Sequence, residues 1–355
     1  MSEDKPRFGI IGLGKRGMQH ATTLLKLSRE YGCTLAAACE SNGMFFDNLH
    51  ETLRADGLLE PSQTIPTFAG HRQMLKSADL DAVIVASPAA YHERHASESL
   101  AAGCNVYVES PLSWDPGLPD SENRKRGLTL INCARSTEKM ICGGPSITAW
   151  FEPKGPYTPV IGDFDGRELE AFKFEMASGT GGSLEDTLLQ LAPRGLAVLR
   201  KVAGPGRVHF ADMGVRTGTT TIHYLPFRQT AEQRLHVSFT YERERMPSVG
   251  VRMHLETTPG QHRLDVNLNG QLISQQMDAE PLSVLLDAHD EQHFVPNPVE
   301  ASLCSFLDAM RYQTNPRKYA PVAPVGNALL LRDTHNMLCD VMEEYSRFSA
   351  ARHAD

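Results

Sequence analysis

Three glycines near the start of the chain have the spacing of a phosphate-binding loop. Gly12, Gly14 and Gly17 form the pattern G-x-G-x-x-G, which follows the apolar run RFGIIG and opens a predicted helix. In such a loop Gly12 permits a tight turn, Gly14 lets the backbone approach a pyrophosphate, and Gly17 lets the helix pack closely on the sheet. Unpaired N–H groups at the start of the helix would hold the phosphates. The sequence therefore predicts a dinucleotide site at these glycines.

An acidic residue, Glu40, ends the next predicted strand, 23 positions after Gly17. In a dinucleotide-binding unit a carboxylate at this place accepts hydrogen bonds from the ribose hydroxyls and repels a 2'-phosphate. Glu40 therefore favours NAD(H) as the cofactor. Ser41, Asn42, Lys15 and Arg16 could donate hydrogen bonds to a 2'-phosphate, so NADP(H) is the second candidate.

A second group of reactive residues follows the apolar run NVYV. This run leads directly into Glu109, Ser110 and Pro111. A carboxylate at the carboxyl end of a parallel strand lies beside the crevice where such sheets bind ligands. We therefore expect Glu109 to lie at the ligand crevice, in a turn that Pro111 fixes.

The elements that must position these residues follow an alternating pattern. From residue 7 to about 132, short apolar runs alternate with helical segments, which predicts βαβ units and a doubly wound parallel sheet, a Rossmann domain of the α/β class. After about residue 160 polar and apolar residues alternate, which indicates a large, mostly antiparallel open sheet in an α+β domain. The predicted helices of this part are residues 183–202, 299–312 and 325–348. Turns are expected at Gly218, at Pro259-Gly260 and at Asn269-Gly270.

These patterns give three predicted segments. Residues 1–135 form the dinucleotide-binding domain, residues 136–320 the domain for substrate binding and oligomerisation, and residues 321–355 a C-terminal helix that packs back on the body. Within the first segment, the basic run Arg124 to Arg126 is predicted to lie in a polar loop. The run LTLINCAR is predicted to be a strand that brings Arg135 beside the cleft, either to clamp an anionic substrate group or to form a surface ion pair.

The composition excludes several classes of protein. The chain has 355 residues, 41% hydrophobic and 22% charged, with a net charge of -8 and a pI near 6.0, which is typical of a globular protein and not of a nucleic-acid-binding surface. Seven cysteines without a C-x-x-C pair argue against a disulfide framework or a zinc ribbon. We find no secretory pattern and no apolar stretch of about 18 residues, so we expect a cytoplasmic protein without a membrane segment.

We expect no metal site. His92 and His95 lie three residues apart on one predicted helix, but no third ligand follows at a useful spacing. His289 and His293 are four residues apart with acids between them, and an exposed acidic loop explains them better than a divalent ion.

The segment from Asp81 to Leu112 resembles the Gfo/Idh/MocA family, named for glucose-fructose oxidoreductase, inositol dehydrogenase and a rhizopine-catabolism protein. That family has a strand ending in T/S-P, a histidine four residues later, and the motif E-K-P after the next strand. The run GTGGSLEDTLLQ (179–190) is similar to its later G-G-x-L-x-D-x-G-x-H motif. The resemblance implies a fold with these same two domains, an NAD(P)-linked reaction on a sugar, polyol or sugar-derived molecule, and a homodimer or homotetramer formed through the open sheet. It places Ser87, Pro88 and His92 at the cofactor and Glu109 near its nicotinamide end.

The chain departs from the family where the family carries its catalytic residues. The resemblance implies an acid/base set of the E-K-P lysine with an aspartate and a histidine of D-x-x-x-H. Here these positions are Ser110, Asp186 and Gln190. Oxidising an alcohol requires a proton acceptor as hydride leaves the carbon. Neither serine nor glutamine can act as a base near neutral pH.

Three interpretations follow from this loss. The protein is an oxidoreductase whose acid/base groups have moved, to Asp186 or another of these residues: His92, Tyr91, Glu109 or Glu185. Alternatively, it is a dinucleotide-binding sensor without turnover, or another residue reaches the site from elsewhere in the chain.

Overall fold

The structure, a computed structural model, describes residues 5–152, 157, 166–178, 183–224, 228–257, 262–276, 283–286 and 292–354. The chain forms two compact units. The first consists of Met1–Ser146 and Val299–Arg332, and the second of Ile147–Pro298 and Asp333–Asp355.

The first unit is a parallel sheet with helices on both faces. Its strands are β1 (Arg7–Ile11), β2 (Thr34–Cys39), β3 (Thr67–Phe68), β4 (Ala82–Val85), β5 (Asn105–Val108) and β6 (Ile141–Gly143). Its helices up to β6 are α1 (Lys15–Tyr31), α2 (Met44–Ala55), α3 (His71–Ser77), α4 (His92–Ala101) and α5 (Asp120–Thr137). The strand order β3-β2-β1-β4-β5-β6 confirms the predicted doubly wound topology. The order reverses between β1 and β4, and a sheet of this kind binds ligands at the carboxyl ends of those two strands.

Burial along the strands explains why these segments form a parallel sheet. Ala82, Val83, Ile84 and Val85 are all fully buried. Alternate residues contribute to two separate hydrophobic clusters, with Ile84 in one and Val83 in the other. A strand whose two faces are both covered must be apolar throughout, which is why the sequence shows continuous apolar runs here.

The edge strand β6 is short, and its outer side is covered. It pairs with β5 over only three residues. On its free side, the Gly143 backbone N–H donates a hydrogen bond of 3.0 Å to the carbonyl oxygen of Gly326. Both glycines have positive φ, and a Cβ at Gly326 would lie 1.7 Å from the Gly143 carbonyl oxygen. Glycine is therefore required for this close backbone contact.

The second unit contains an eight-stranded, mostly antiparallel sheet. Its strands are β7 (Ala171–Ser178), β8 (Arg207–Tyr224), β9 (Arg228–Arg243), β10 (Met246–Thr257), β11 (Arg263–Leu268), β12 (Gln271–Gln276), β13 (Ser283–Leu286) and β14 (Gln292–Val295). The strand order is β14-β13-β12-β11-β7-β10-β9-β8, and only β7 and β10 pair in parallel. This architecture confirms the predicted α+β part of the chain.

One helix covers one face of this sheet. α6 (Leu184–Ala203) begins at the N-cap Ser183 and ends at Gly204, as predicted for residues 183–202. A Cβ at Gly195 would lie 2.8 Å from the Phe174 ring of β7, so helix and sheet pack closely. Buried and more exposed residues alternate along β10, which gives the sheet one buried and one polar face.

The structure corrects three local predictions. Arg124 to Arg126 and LTLINCAR lie in α5, not in a loop and a strand. The buried positions 123, 127, 130 and 134 recur every three or four residues, which is the period of a helix. The apolar residues of LTLINCAR, taken alone, do not show this period. Gly218 lies inside β8, paired with Arg234, and not at a turn. The turn at Asn269-Gly270 is confirmed by positive φ at both residues, whereas Pro259 and Gly260 lie outside the described residues.

The two remaining helices are α7 (Pro298–Thr314) and α8 (Ala328–Ala354). They correspond to the predicted helices near residues 299–312 and 325–348. Across the described residues, we find no helix with the length and apolarity required to cross a bilayer.

A buried hydrogen bond attaches α7 to the parallel sheet. The hydroxyl groups of Tyr107 on β5 and Ser302 on α7 are 3.0 Å apart, and both side chains are fully buried. Phe306 of the same helix packs edge-on against Phe8 of β1. A helix from the end of the chain thus completes the core of the first unit.

We expect Tyr107→Phe to lower the free energy of unfolding by about 1–2 kcal/mol, because it leaves the buried Ser302 hydroxyl without its partner. Urea unfolding of the purified protein measures this change. Tyr312→Phe is the control, since the Tyr312 hydroxyl, also on α7, makes no hydrogen bond within the described part of the chain. Equal stability of the two variants would contradict the role of this hydrogen bond.

Candidate functional site

The glycine loop lies directly against the end of β4. Gly12 has φ +95, and a Cβ added there would lie 2.6 Å from the backbone nitrogen of Ser87. A Cβ at Gly17 would lie 1.8 Å from the Gly12 carbonyl oxygen. A Cβ at Gly14, in contrast, would have no protein atom within 4 Å. Packing therefore requires glycine at two of the three positions, and at the third the chain leaves open space beside the backbone.

The start of α1 suits an anion. Its N-cap is Gly14, with no side chain capping the helix, and its first turn has no acidic residue. Lys15 is exposed and Arg16 is half-buried in that turn. Positive side chains at a helix N-terminus oppose the helix dipole unless an anion lies between them and the N–H groups. The loop therefore fits a dinucleotide pyrophosphate.

Glu40 follows β2 and is held by the backbone around it. Its carboxylate accepts hydrogen bonds from the N–H groups of Leu13 at 3.0 Å and Ser41 at 2.7 Å, and from the Ser41 hydroxyl at 2.9 Å. Partial burial would raise the pKa of Glu40, but these hydrogen bonds outweigh it and the pKa is lowered. The carboxylate is thus ionised and oriented beside the glycine loop.

A buried pair joins β5 to α1. Oε1 of Glu109 lies 2.6 Å from Nε2 of His20, with the His20 side chain fully buried and that of Glu109 13% exposed. Burial would raise the pKa of Glu109, but the His20 hydrogen bond and the positive charge of Arg16 lower it to about 2. His20 was not among the site residues predicted from the sequence. Its position three residues after Gly17, on the buried face of α1, is the only signal in the sequence.

His92 links the ends of β4 and β5. Its Nδ1 lies 2.8 Å from the carbonyl oxygen of Pro111, and its Nε2 lies 2.6 Å from that of Ser87. The side chain is 1% exposed, and burial lowers its pKa. With both ring nitrogens on backbone carbonyls, His92 is better suited to hold the two strand ends together than to exchange a proton with a substrate.

Ser110 itself makes few contacts. Its backbone N–H donates a hydrogen bond of 3.4 Å to Oε2 of Glu109, and its peptide bond to Pro111 is cis. A serine hydroxyl has no charge to stabilise an alkoxide and no pKa suited to a base. The position therefore lacks the chemistry that a lysine would provide.

A second polar pair lies at the end of β4. The Ser87 hydroxyl is 2.9 Å from Nδ1 of His95, a residue of α4. The ring of Tyr91, which is 52% exposed, stacks on His95 with a centroid distance of 5.9 Å. Pro88 between them is exposed. From the sequence, His95 was a candidate only for a metal ligand, together with His92.

The candidate residues of the second unit lie at the start of α6. Asp186 forms a capping box with Ser183, whose N–H and hydroxyl both lie 2.9 Å from Oδ2 of Asp186. Gln190 is one turn further on, and both side chains are exposed. Glu185 beside them is half-buried. Residues 179–182 of the glycine-rich run before this helix lie outside the described residues.

One further candidate, Arg135, is not at a strand end, and another, His289, cannot be placed. Arg135 is in the last turn of α5 and not at the cleft end of a strand. His289 lies outside the described residues, and within those that are described no three His, Cys, Asp or Glu side chains form a cluster that could hold a metal.

Comparison with known families decides the class of the first unit. Residues 6–122 match the model of the GFO_IDH_MocA family, described as an oxidoreductase family with an NAD-binding Rossmann fold. Over these residues the chain is similar to the Gfo/Idh/MocA family. The match includes the glycine loop and the strand ends of the Gfo/Idh/MocA domain, where Glu40, Ser87 and Glu109 lie.

Curated relatives are similar over the same region. A glycosyl hydrolase family 109 protein of Shewanella sp. (strain ANA-3) is 29% identical over 136 residues, which cover 37% of this chain and 28% of the relative. A glycosyl hydrolase family 109 protein of Streptomyces coelicolor is 29% identical over 135 residues, covering 36% and 28%. The chain thus matches little more than a quarter of the length of these relatives.

Solved structures share the fold of almost the whole chain. UDP-N-acetylglucosamine 3-dehydrogenase GnnA from Acidithiobacillus ferrooxidans has a TM-score of 0.65 at 15% identity, covering 95% of this chain and 96% of its own. A putative myo-inositol dehydrogenase from Sinorhizobium meliloti 1021 has a TM-score of 0.62 at 13% identity, covering 94% and 95%. A 3-ketoreductase from Actinomadura kijaniata in complex with TDP-benzene and NADP has a TM-score of 0.60 at 16% identity, covering 94% and 96%. At these identities the similarity is one of fold.

We expect alanine to lower the stability of the fold at one glycine of the loop and the affinity for the dinucleotide at another. Gly17→Ala places a methyl group against the Gly12 carbonyl and should lower the free energy of unfolding by about 1–3 kcal/mol. Gly14→Ala meets no protein atom, so the fold should tolerate it while dinucleotide affinity falls at least about tenfold. Thermal unfolding and titration calorimetry with NAD measure the two effects. Unchanged affinity in Gly14→Ala would contradict the phosphate role of the loop.

Proposed function

We propose that this protein binds NAD(H) and catalyses oxidation or reduction of a sugar, polyol or sugar-derived small molecule. The observation that carries this proposal is the glycine loop, with its open space at Gly14 and the ionised Glu40 beside it. Protein packing alone explains Gly12 and Gly17, but a bound dinucleotide explains why position 14 also lacks a side chain.

We expect different residues of the first unit to bind different parts of the cofactor. In our proposal the backbone at Gly14 and the side chains of Lys15 and Arg16 hold the phosphates, and Glu40 accepts hydrogen bonds from the adenosine ribose. Glu109 lies towards the nicotinamide end, together with the strand end that Ser87, Pro88 and His92 form. The bound cofactor supplies a hydride acceptor or donor.

The preference for NAD(H) rests on charge. The carboxylate of Glu40 is already oriented by four hydrogen-bond donors and is ionised at neutral pH. A 2'-phosphate close to this carboxylate would be repelled, and the exposed Lys15 would have to offset that repulsion. NADP(H) is the second candidate, because a fold neighbour from Actinomadura kijaniata is described in complex with NADP.

The names of the relatives suggest the class of substrate. Two of the fold neighbours are described as a UDP-N-acetylglucosamine dehydrogenase and a putative myo-inositol dehydrogenase, and the curated relatives as glycosyl hydrolases. All of these names refer to polyhydroxylated substrates. A substrate of this class is therefore our proposal for the present chain, as are a homodimer or homotetramer and a cytoplasmic location.

A dinucleotide-binding sensor without turnover is the second candidate function. The observation that favours it is the loss of two acid/base groups, at Ser110 and Gln190, together with the capping role of Asp186. A carboxylate that caps its own helix needs no catalytic role to explain its presence. The two candidates share cofactor binding and differ in turnover.

We expect Glu40→Gln to weaken NAD binding by about 10- to 100-fold, because charge-assisted hydrogen bonds to the ribose are lost. The same change should shift the affinity ratio towards NADP. Titration calorimetry with both cofactors measures this, and Glu51→Gln on the exposed face of α2 provides a control for net charge. If Glu40→Gln alters neither affinity, Glu40 does not contact the ribose.

Turnover distinguishes the enzyme from the sensor. Following nicotinamide absorbance over a panel of sugars, cyclitols and amino sugars, we expect the wild type to react. We expect Ser110→Ala to keep kcat within about tenfold, because a hydroxyl that is no base contributes little, whereas loss of a general base costs about 100-fold or more. Cofactor binding without turnover in the wild type, with activity only in Ser110→Lys, would instead support the sensor.

A further inference from the structure

An alcohol dehydrogenase of this kind needs a group that takes the proton of the substrate hydroxyl. In the first unit, the obvious candidates are unsuited. Ser110 is no base, Glu109 has a pKa of about 2 and is bound to His20, and both nitrogens of His92 face backbone carbonyls. The acceptor must therefore be sought among other side chains near the ligand end of the sheet.

The end of β4 provides such a group. In the strand order of the parallel sheet, β1 and β4 are neighbours at the point where the order reverses. Ligands of doubly wound sheets bind outside the carboxyl ends of the strands at this point. Ser87 follows β4 and contacts Gly12, which follows β1. The backbone of Ser87 is thus next to the loop that we assign to the cofactor.

The partner of Ser87 is suited to accept a proton. Nδ1 of His95 lies 2.9 Å from the Ser87 hydroxyl, the distance of a good hydrogen bond. His95 belongs to α4, one turn after the exposed ring of Tyr91 that stacks on it. His95 itself is half-buried, so the pair extends from the ligand end of the sheet to the protein surface.

Charged and titratable groups surround His95 on every side that is packed. The His71 ring of α3 lies 4.4 Å away between centroids, and Nε2 of His71 is 2.7 Å from Glu98, which also binds Arg72. Burial lowers the pKa of His95 to about 4, and His71, His92 and Arg94 act in the same direction while Glu98 opposes them. His95 is therefore neutral, and able to receive a proton, at neutral pH.

We propose that Ser87 and His95 form a proton relay that takes the substrate's hydroxyl proton and passes it to solvent, in place of the missing E-K-P lysine. This inference rests on the proposed oxidoreductase function. Ser87 is the group that contacts the substrate, and His95 acts through it.

The proposed oxidation removes one hydride and one proton from the substrate. As the carbinol C–H bond breaks, its hydride is taken by the oxidised nicotinamide dinucleotide, and the carbinol becomes a carbonyl. The substrate O–H proton forms a new bond to Oγ of Ser87, while the original Ser87 proton moves to Nδ1 of His95. Nε2 of the resulting imidazolium then loses its proton to water, which restores the neutral ring in its other tautomer. Rotation of the Ser87 hydroxyl and exchange with water reset the pair.

The relay predicts a specific pattern of kinetic effects. His95→Asn should bind NAD within about threefold of the wild type. Both His95→Asn and Ser87→Ala should lower kcat by about 100-fold or more. Ser87→Thr, which keeps the hydroxyl, should retain most of the kcat. Added imidazole should restore turnover to His95→Ala without changing its NAD affinity. Ser97→Ala, on the same helix, is the control and should behave as wild type.

Two further readouts report the protonation state of His95, and the first of them does not require turnover. In the cofactor-free protein, 15N NMR of histidine at neutral pH should show one neutral ring with an unprotonated Nδ1 that disappears in His95→Asn. In the wild-type enzyme, kcat/KM should fall only as the pH approaches 4, because His95 must be unprotonated to act.

Each contrary result has a separate meaning. An imidazolium or an Nδ1–H tautomer at His95 overturns the relay, as does an unchanged kcat in His95→Asn. NAD binding by the wild type with no turnover over the substrate panel also overturns it and supports the sensor. Absence of any dinucleotide binding overturns the proposed function itself, a result that the calorimetry distinguishes from failure of the relay.

Discussion

The ligand end of the first unit depends on one close backbone contact, between the glycine loop and the end of β4. A side chain at Gly12 would collide with Ser87, and one at Gly17 would collide with Gly12. Because these atoms touch, β1, α1 and β4 are fixed relative to one another without any side chain between them. The remaining glycine, Gly14, is outside this contact. The loop is therefore fixed at Gly12 and Gly17, whereas the space beside the backbone of Gly14 is free of protein atoms.

A second constraint, the buried pair of His20 and Glu109, ties the end of β5 to α1. An ionised carboxylate can be buried only when it is paired and hydrogen-bonded, so each residue requires the other. The hydrogen bond of this pair does not involve Ser110, so it holds Glu109 in place whatever residue occupies position 110. The E-x-P turn can thus form whether or not its middle residue takes part in catalysis.

The order of the N-terminal elements and the class of both sheets could be predicted from the sequence, because apolar runs buried on both faces differ in pattern from strands with one wet face. Prediction failed where a residue pattern is compatible with more than one kind of secondary structure. The run LTLINCAR has the composition of a strand, and only the spacing of its buried residues shows that it is helical. Gly218 shows the opposite error, since a glycine inside a long strand resembles a turn signal.

The candidate site was predictable only where it is local in the chain. The glycine loop and Glu40 form a short motif, and the structure brings them together through backbone hydrogen bonds. His20 could not be paired with Glu109, which is 89 residues away, because nothing near it in the chain marks a partner. His95 was visible as a histidine on a helix, but its hydrogen bond to Ser87 depends on how α4 packs against the end of β4.

The cover on β6 affects how the folded chain behaves towards its copies. An open sheet edge is a template on which a strand of another molecule can add, and natural proteins block such edges. Here the Gly143 N–H, which could otherwise donate to a strand of another molecule, already donates to the carbonyl oxygen of Gly326. The strand at the opposite edge, β3, has only two residues. Both edge strands of the parallel sheet thus have few backbone groups left to pair with a strand of another molecule, which protects the protein against edge-to-edge aggregation.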